Sequence, residues 1–289
     1  MVSGSTQERL LNVEAGDGLC LNGFCIRGET SERAAIVWLH GFGVGYDLPE
    51  CVVLGRELAA LGFCFVSGNL RGHDGGAVGW RRVNGRHQVV QAGSWWEVFE
   101  ESAMDVAAWV GHAGSLGLKT VVLAGHSFGA VHAAYYMSEN GKHGVNGLAL
   151  ISPSFGLRHL DQEVATLAEA MLKDNRGAEL LPRGSWPRGF GTDTVSAQTY
   201  ASWSRVAPML FGPGRTRFAD IRCPVLITYG ATGDVGNRAE IDYLAGLATS
   251  VPSLEWKILP DVHHRYAGGE AALAATIANW IDTAVSVRN

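Results

Sequence analysis

Six short apolar runs, separated by stretches of helical periodicity, constrain the fold of this 289-residue chain more than any other feature. Runs that are apolar along their whole length are typical of parallel strands covered on both faces. Strands that alternate with helices predict an open parallel sheet with helices on both faces, and residues 1–28 predict an antiparallel hairpin at one edge. The six runs are residues 34–40, 62–68, 120–125, 147–152, 224–230 and 254–260.

The segments between these runs carry helix signals. Between residues 95 and 111, apolar side chains recur at the spacing of one helix face. Asn237, followed three residues later by Glu240, predicts the start of another helix through a capping box. The last helix is predicted from the stripe formed by Leu273, Ile277, Trp280 and Ala284.

One interval, of about seventy residues between the runs 147–152 and 224–230, is too long for a simple connection between neighbouring strands. It has a helical pattern near residues 160–175 and several aromatic residues, which are rare in disordered segments. We therefore predict that residues 155–218 form a lid inserted into a core made of residues 1–154 and 219–289.

Composition excludes several classes of function. The net charge is −5 and basic residues form no block, which argues against nucleic-acid binding. The N-terminus does not resemble a signal peptide, and no apolar stretch is long enough to cross a membrane. The odd number of cysteines and the lack of a CxxC pair predict buried free thiols in a cytoplasmic protein, with no metal site. These cysteines are Cys20, Cys25, Cys51, Cys64 and Cys223.

The sequence "GHSFG" at residues 125–129 follows one apolar run and opens a helical stretch. A tight turn between a strand and a helix strains its central residue and requires small residues two positions before and after it. Such a turn would expose the Ser127 hydroxyl above the carboxyl edge of the sheet, where the helix N-terminus adds partial positive charge. We predict that Ser127 is a nucleophile, and the alternative is an ordinary serine in a tight bend.

Two backbone N–H groups are candidates for an oxyanion hole. One belongs to Phe128, the residue after the predicted nucleophile. The other belongs to Phe42 in "HGFG" at residues 40–43, which follows the first core run. The alternative for this second segment is a glycine-rich connection without a chemical role.

A base and an acid are expected on later loops. The segment 260–266, "PDVHHRY", follows the last apolar run, and either His263 or His264 could aim its ring at Ser127. Asp234 lies just past the run 224–230, where a carboxylate could hold the second nitrogen of that ring. Asp234 could instead cap the next helix, but Asn237 already suits that position.

With these motifs the chain resembles α/β-hydrolases over nearly all of its length outside residues 155–218. The resemblance implies the α/β-hydrolase fold, a mostly parallel eight-stranded sheet with helices on both faces, and the chain order Ser127, Asp234, His. The stretch 93–110 and the loop "DVHHRYAGGE" are similar to a bacterial subgroup related to siderophore-esterase-like hydrolases. The loop of that subgroup, laid over this sequence, puts the catalytic histidine on His264 and leaves His263 as the second choice.

These features together predict a serine hydrolase that cleaves an ester, lactone or thioester of a small-molecule acyl substrate without a metal or organic cofactor. An apolar or aromatic substrate is expected, bound near Trp95, Trp96, Trp186 and Trp203. An acyltransferase or cyclase that uses the same triad is one alternative. A non-catalytic protein that binds ligands in the same pocket is another. The oligomeric state is not predicted.

Overall fold

The computed structural model describes residues 6–28, 32–139, 144–154, 156–185 and 194–286. In this part of the chain the strands, in order, are β1 (Gln7–Glu14), β2 (Cys20–Arg27), β3 (Ala35–Leu39), β4 (Cys64–Gly68), β5 (Ala77–Val83), β6 (Arg86–Ala92), β7 (Val121–His126), β8 (Gly147–Ile151), β9 (Val225–Gly230) and β10 (Leu254–Leu259). The α-helices are α1 (Pro49–Ala60), α2 (Ser102–Ser115), α3 (Phe128–Glu139), α4 (Gln162–Lys173), α5 (Ala197–Phe211), α6 (Arg238–Leu247) and α7 (Glu270–Trp280).

The main sheet has eight strands in the order β1-β2-β4-β3-β7-β8-β9-β10. The six strands from β4 to β10 in this order pair in parallel, while β2 is antiparallel to both β1 and β4. Each of the six apolar runs coincides with one of these parallel strands to within about two residues at either end, and the predicted edge hairpin is formed by β1 and β2. The structure thus confirms the predicted eight-stranded, mostly parallel sheet.

Helices cover both faces of this sheet because its central strands are apolar on both sides. In β3, Ala35, Val37 and Leu39 belong to one core, and Ile36 and Trp38 belong to the other. The first core is covered by α2 and α3, and the second is covered by α1 and α7. This alternation follows from the two-residue period of a strand.

An insertion separates β8 from β9, although these two strands are neighbours in the sheet. It contains α4 and α5, which pack against each other. The side chain of Asp161 caps α4 by accepting from the N–H groups of Glu163 and Val164, and Ser196 caps α5 by accepting from the N–H of Thr199. The predicted helix near residues 160–175 corresponds to α4.

A second, two-stranded sheet formed by β5 and β6 was not predicted from the sequence. Its turn consists of Asn84 and Gly85, which both have positive φ angles of 51° and 76°. Two such residues make the primed turn that matches the twist of a hairpin. A bridge between Leu19 and Arg81, and the ion pair of Arg81 with Asp17, attach the hairpin to the connection between β1 and β2.

All five cysteines carry free thiols, and four of them are buried. Within the described ranges, no helix has both the length and the apolar character needed to cross a membrane.

Candidate active site

The turn that carries Ser127 is strained and closely packed. Ser127 lies between β7 and α3 with a φ angle of 55°, in the left-handed region that non-glycine residues seldom adopt. A Cβ atom at Gly125 would lie 2.3 Å from the carbonyl oxygen of Gly129. A Cβ atom at Gly129 would lie 2.4 Å from the carbonyl oxygens of Leu39 and His40. Both glycines are therefore required by the close approach of neighbouring backbones.

The structure brings together the three side chains that the sequence places far apart. The Oγ of Ser127 lies 3.0 Å from Nε2 of His264, and Nδ1 of His264 lies 2.8 Å from Oδ1 of Asp234. Ser127 follows β7, Asp234 follows β9 and His264 lies between β10 and α7. The carboxyl ends of parallel strands share one edge of the sheet, so these loops converge there.

His263 does not point toward Ser127. It is exposed, and its Nδ1 accepts a hydrogen bond of 3.1 Å from the backbone N–H of Arg265. Of the two histidines left open by the residues alone, the structure places His264 against the serine.

The carboxylate of Asp234 is fully enclosed and accepts four hydrogen bonds. Its Oδ1 accepts from Nδ1–H of His264 and from the N–H of Val235 at 2.6 Å. Its Oδ2 accepts from the N–H of Gly230 and from the hydroxyl of Ser152, both at 2.5 Å. Burial acts to raise the pKa of Asp234, but the hydrogen bonds from His264, Ser152 and Gly230 outweigh it, so the pKa lies below its ordinary value.

The loop that carries Phe42 lies directly against Ser127. A Cβ atom at Gly41 would lie 3.1 Å from Cβ of Ser127. Phe128 is the first residue of α3, a position whose N–H has no partner within its own helix. The rings of Phe42 and Phe128 meet edge to face with centroids 5.8 Å apart. Both residues thus border the serine, and their role as oxyanion donors stays a prediction.

The comparison with protein families agrees with this geometry. The model of the alpha/beta hydrolase family matches residues 36–277, a range that includes Ser127, Asp234 and His264. The chain belongs to the alpha/beta hydrolase family. No curated protein sequence matches this family member significantly.

Solved structures share the fold of this alpha/beta hydrolase family member at low sequence identity. A structure described as DcsB in complex with its substrate analogue has a TM-score of 0.70 and 17% identity, and the match covers 97% of this chain and 100% of that one. A thermostable carboxyl esterase from Bacillus coagulans in complex with glycerol has a TM-score of 0.69 and 14% identity, over 96% and 99% of the two chains. Est1E from Butyrivibrio proteoclasticus, with bound ferulic acid, has a TM-score of 0.64 and 14% identity, also over 96% and 99%.

Two buried histidines of this family member hold the loops around Ser127. His126 donates its Nε2–H to the backbone carbonyl of His264 over 2.8 Å, and its ring stacks on Trp38. Nδ1–H of His40 donates to the carbonyl of Gly41, and its Nε2 accepts from the N–H of Leu70. Burial lowers the pKa of each histidine to about 4, so both rings stay neutral near pH 7.

The tryptophans predicted to bind substrate lie in different environments. Trp203 is fully buried, and its ring centroid lies 5.7 Å from that of Phe42 and 5.6 Å from that of Phe128. Trp203 has no exposed surface and packs against both rings, and substrate contact by Trp203 stays a prediction.

Trp95 and Trp96 are half-buried neighbours with ring centroids 5.8 Å apart. Trp96 donates its indole N–H to the carbonyl of Ala178 in the insertion over 2.8 Å. Trp186 lies outside the described residues. Substrate contact by Trp95 and Trp96 stays a prediction.

A buried ion-pair network, which the sequence analysis missed, fastens the loop after β4 to α2. The guanidinium of Arg71 lies 2.8 Å from Asp105 and 3.4 Å from Asp17, and it also pairs with Glu101. Burial acts to lower the pKa of Arg71, but the hydrogen bonds to Asp105 and the attraction of its charge raise the pKa of Arg71 above the ordinary value. Because its donors point to carboxylates of the protein, Arg71 has a structural role here.

Glu97 is a second buried ionisable group behind the site. Its Oε1 accepts from the indole N–H of Trp203 over 3.3 Å, and its Oε2 lies 3.8 Å from Nε2 of His132. Burial raises the pKa of Glu97 to about 8, against a smaller lowering by the bond from Trp203.

Among the residues that the structure describes, no group of three or more histidine, cysteine or acidic side chains could hold a metal ion.

Proposed function

We propose that this protein is a serine hydrolase that cleaves a carboxylic ester, lactone or thioester through an acyl-enzyme. The proposed nucleophile is Ser127, the base is His264, and Asp234 orients the imidazole. One observation carries the proposal, namely the unbroken hydrogen-bonded line from the serine hydroxyl through the imidazole to a buried carboxylate, with distances of 3.0 and 2.8 Å.

In the first half-reaction, Nε2 of His264 takes the proton of Ser127 while its Oγ attacks the carbonyl carbon of the substrate. The tetrahedral intermediate collapses when the C–O or C–S bond of the leaving group breaks, and His264 returns the proton to that group. His264 then takes a proton from a water molecule whose oxygen attacks the acyl-enzyme. The second tetrahedral intermediate collapses when the bond between the acyl carbon and Oγ breaks, which releases the acid, and His264 returns the proton to Oγ of Ser127. No metal or organic cofactor takes part in these steps.

Stabilisation of the intermediate is assigned to the N–H groups of Phe42 and Phe128. Oxyanion donors act most strongly when they are fixed before the reaction, because they need not reorganise during it. The edge-to-face packing of the two rings, backed by Trp203, supports such rigidity. Loss of one oxyanion donor typically lowers kcat about a hundredfold to a thousandfold.

We further propose that the substrate is a small apolar or aromatic acyl compound, and that residues 155–218 act as a lid. Trp95 and Trp96 lie where the insertion meets the core: Trp96 bonds to Ala178, and the carbonyl of Trp95 accepts from the N–H of Ser196. Among proteins of the same fold, Est1E binds ferulic acid and the Bacillus coagulans protein is a carboxyl esterase, which agrees with this class. The similarity of the loop 261–270 to siderophore-esterase-like hydrolases also supports a substrate of this class.

The decisive experiment compares the wild type with Ser127→Ala on a short p-nitrophenyl ester. We expect kcat to fall about a thousandfold or more, because the nucleophile is lost. Ser138→Ala is the matched control, since Ser138 is a buried serine of α3 whose hydroxyl bonds to the carbonyl of Tyr135. An unchanged rate in Ser127→Ala would refute the proposed nucleophile.

The two alternatives give different results in companion assays. A fluorophosphonate probe should label Ser127 of the wild type, and absence of labelling would favour a non-catalytic binding protein. Products formed with a competing alcohol or amine should be mainly the free acid. Predominant transfer to the acceptor would instead favour an acyltransferase or cyclase.

A further inference from the structure

A line of three buried hydroxyl groups leads to Asp234 on the side opposite to His264. The hydroxyl of Ser152 lies 2.5 Å from Oδ2 of Asp234 and 2.9 Å from the phenol oxygen of Tyr266. That phenol oxygen lies 3.0 Å from Oγ1 of Thr228. These three residues come from the end of β8, the histidine loop and β9, so the line ties together the loops that carry the proposed acid and base.

The hydrogen of each hydroxyl has a defined direction. The carboxylate of Asp234 can only accept, so Ser152 must use its single hydrogen toward it. Ser152 then accepts from Tyr266, and Tyr266 in turn accepts from Thr228. Burial raises the pKa of Tyr266 above its ordinary value, so the phenol keeps its proton throughout a neutral assay range. Hydrogen bonds aligned in this way polarise and strengthen one another.

Backbone strain marks the same two residues. Ser152 has a φ angle of 45° and Tyr266 has a φ angle of 59°, although neither is a glycine. Both side chains are almost completely buried. A bulky residue in this region costs on the order of 1 kcal/mol or more and persists only where surrounding contacts enforce it. The hydrogen bonds of this line are contacts of that kind at both residues.

We propose that Ser152 and Tyr266 are positioning residues, which fix the Asp234 carboxylate and the loop of His264 in the geometry needed for proton transfer from Ser127. This inference rests on the proposed function. Ser152 restrains Oδ2 of Asp234, so that Oδ1 stays aimed at His264. Tyr266 lies two residues after His264, so its bond to Ser152 couples the position of the imidazole to that of the carboxylate.

The test removes single hydroxyl groups and measures kcat and KM separately on a p-nitrophenyl ester. We expect Tyr266→Phe to lower kcat about threefold to tenfold and Ser152→Ala to lower it about tenfold, because a bond to an ionised carboxylate is stronger than a neutral one. KM should change less than twofold in both variants, since neither side chain is proposed to touch the substrate. Tyr135→Phe is the control, because it removes a phenol that donates to Glu139 instead.

The double variant Ser152→Ala/Tyr266→Phe tests whether the two residues act in series. If Tyr266 acts through Ser152, the double variant should match Ser152→Ala within about twofold, whereas independent effects would multiply. Multiplied effects, or a kcat of Tyr266→Phe equal to that of the control, would overturn the proposal. Thr228→Val, which removes only the far end of the line, should lower kcat less than Tyr266→Phe does.

A proton NMR measurement separates failure of this inference from failure of the proposed function. The proton shared by His264 and Asp234 should give a low-field resonance that disappears in His264→Gln. We expect it to move upfield or broaden in Tyr266→Phe and Ser152→Ala but not in Tyr135→Phe, and an unchanged resonance in all of them would refute the positioning role. A wild type with this resonance and no Ser127-dependent hydrolysis would refute the proposed function alone.

Discussion

At the scale of single residues, the candidate site depends most on the glycines beside the serine turn. Gly125 and Gly129 let β7, α3 and the end of β3 approach so closely that a single methyl group would overlap backbone oxygens. Backbone atoms cannot move aside as the end of a flexible side chain can. The strained conformation of Ser127 is therefore available only while both positions lack a side chain.

We predict that Gly129→Ala lowers the free energy of unfolding by about 3 kcal/mol or more, since overpacking against fixed backbone is among the most costly substitutions. Gly111→Ala is the matched control, because Gly111 is an exposed residue of α2 and an added Cβ would meet nothing within 4 Å apart from its chain neighbours and the backbone of its own helix. The free energy of unfolding of the control should rise by about 0.5–1 kcal/mol, because alanine has a better helix propensity than glycine. Urea unfolding monitored by circular dichroism measures both changes, and equal effects would contradict the argument.

At the scale of elements, α6 shows how a local signal fixes a helix next to the site. Asn237 precedes α6 with an extended backbone, and its side chain accepts from the N–H of Ala239 over 2.8 Å. This cap lies three residues after Asp234, so it defines where the loop that carries the proposed acid ends. The capping role of Asn237 was predicted from the sequence and is confirmed, whereas the side chain of Glu240, the other half of the predicted capping box, pairs with Arg158.

Asn237→Ala should lower the free energy of unfolding by about 1 kcal/mol, because the N–H of Ala239 loses its partner. Asn237→Asp should keep most of the stability, since its carboxylate can accept the same bond and is favoured by the helix dipole. Chemical denaturation of the three proteins checks the order. A loss in Asn237→Asp as large as that in Asn237→Ala would show that the cap is not the cause.

The strands show which elements could be predicted from the sequence and which could not. The six parallel strands were found because burial on both faces makes each one apolar throughout. The hairpin of β5 and β6 was missed because its strands carry exposed and charged residues, although Asn84–Gly85 is a typical hairpin turn.

Motif spacing could predict Ser127 and Asp234 because each follows a recognisable strand, but it left His263 and His264 open, and only the resemblance of the loop to known hydrolases favoured His264. It could not predict the bond between Ser152 and Tyr266, which are 114 positions apart and carry no local pattern. The burial of Trp203 was equally hidden, because an apolar residue on a helix has the same pattern whether it meets a substrate or other rings.

At the scale of the whole molecule, Glu97 links stability to pH. It is enclosed by parts of several elements: Trp203 of α5, His132 of α3, Asp105 of α2 and Arg71 of the loop after β4. Its pKa is raised from an ordinary value of 4.5 to about 8, mainly by burial. Between these two values the native state keeps a proton that the unfolded chain releases.

The native state therefore binds more protons than the unfolded state in this window, and the contribution of Glu97 to stability falls as the pH rises from about 4.5 to about 8. The loss amounts to at most about 1.4 kcal/mol per pH unit within the window. Glu97→Gln should remove this dependence, so its stability relative to the wild type should increase from pH 5 to pH 8 and then level off. Urea unfolding at pH 5, 6.5, 8 and 9 measures the difference, and parallel curves would contradict the assignment.

The crowded surroundings of Asp234 have a further consequence for the proposed reaction. Its two oxygens already receive four hydrogens, drawn from loops at the ends of three strands. Each of these bonds favours the ionised carboxylate, and the pKa of Asp234 lies below its ordinary value. In the proposed reaction the proton of Ser127 would therefore stay on the imidazole of His264, and the positive charge of that ring would persist until the leaving group takes the proton.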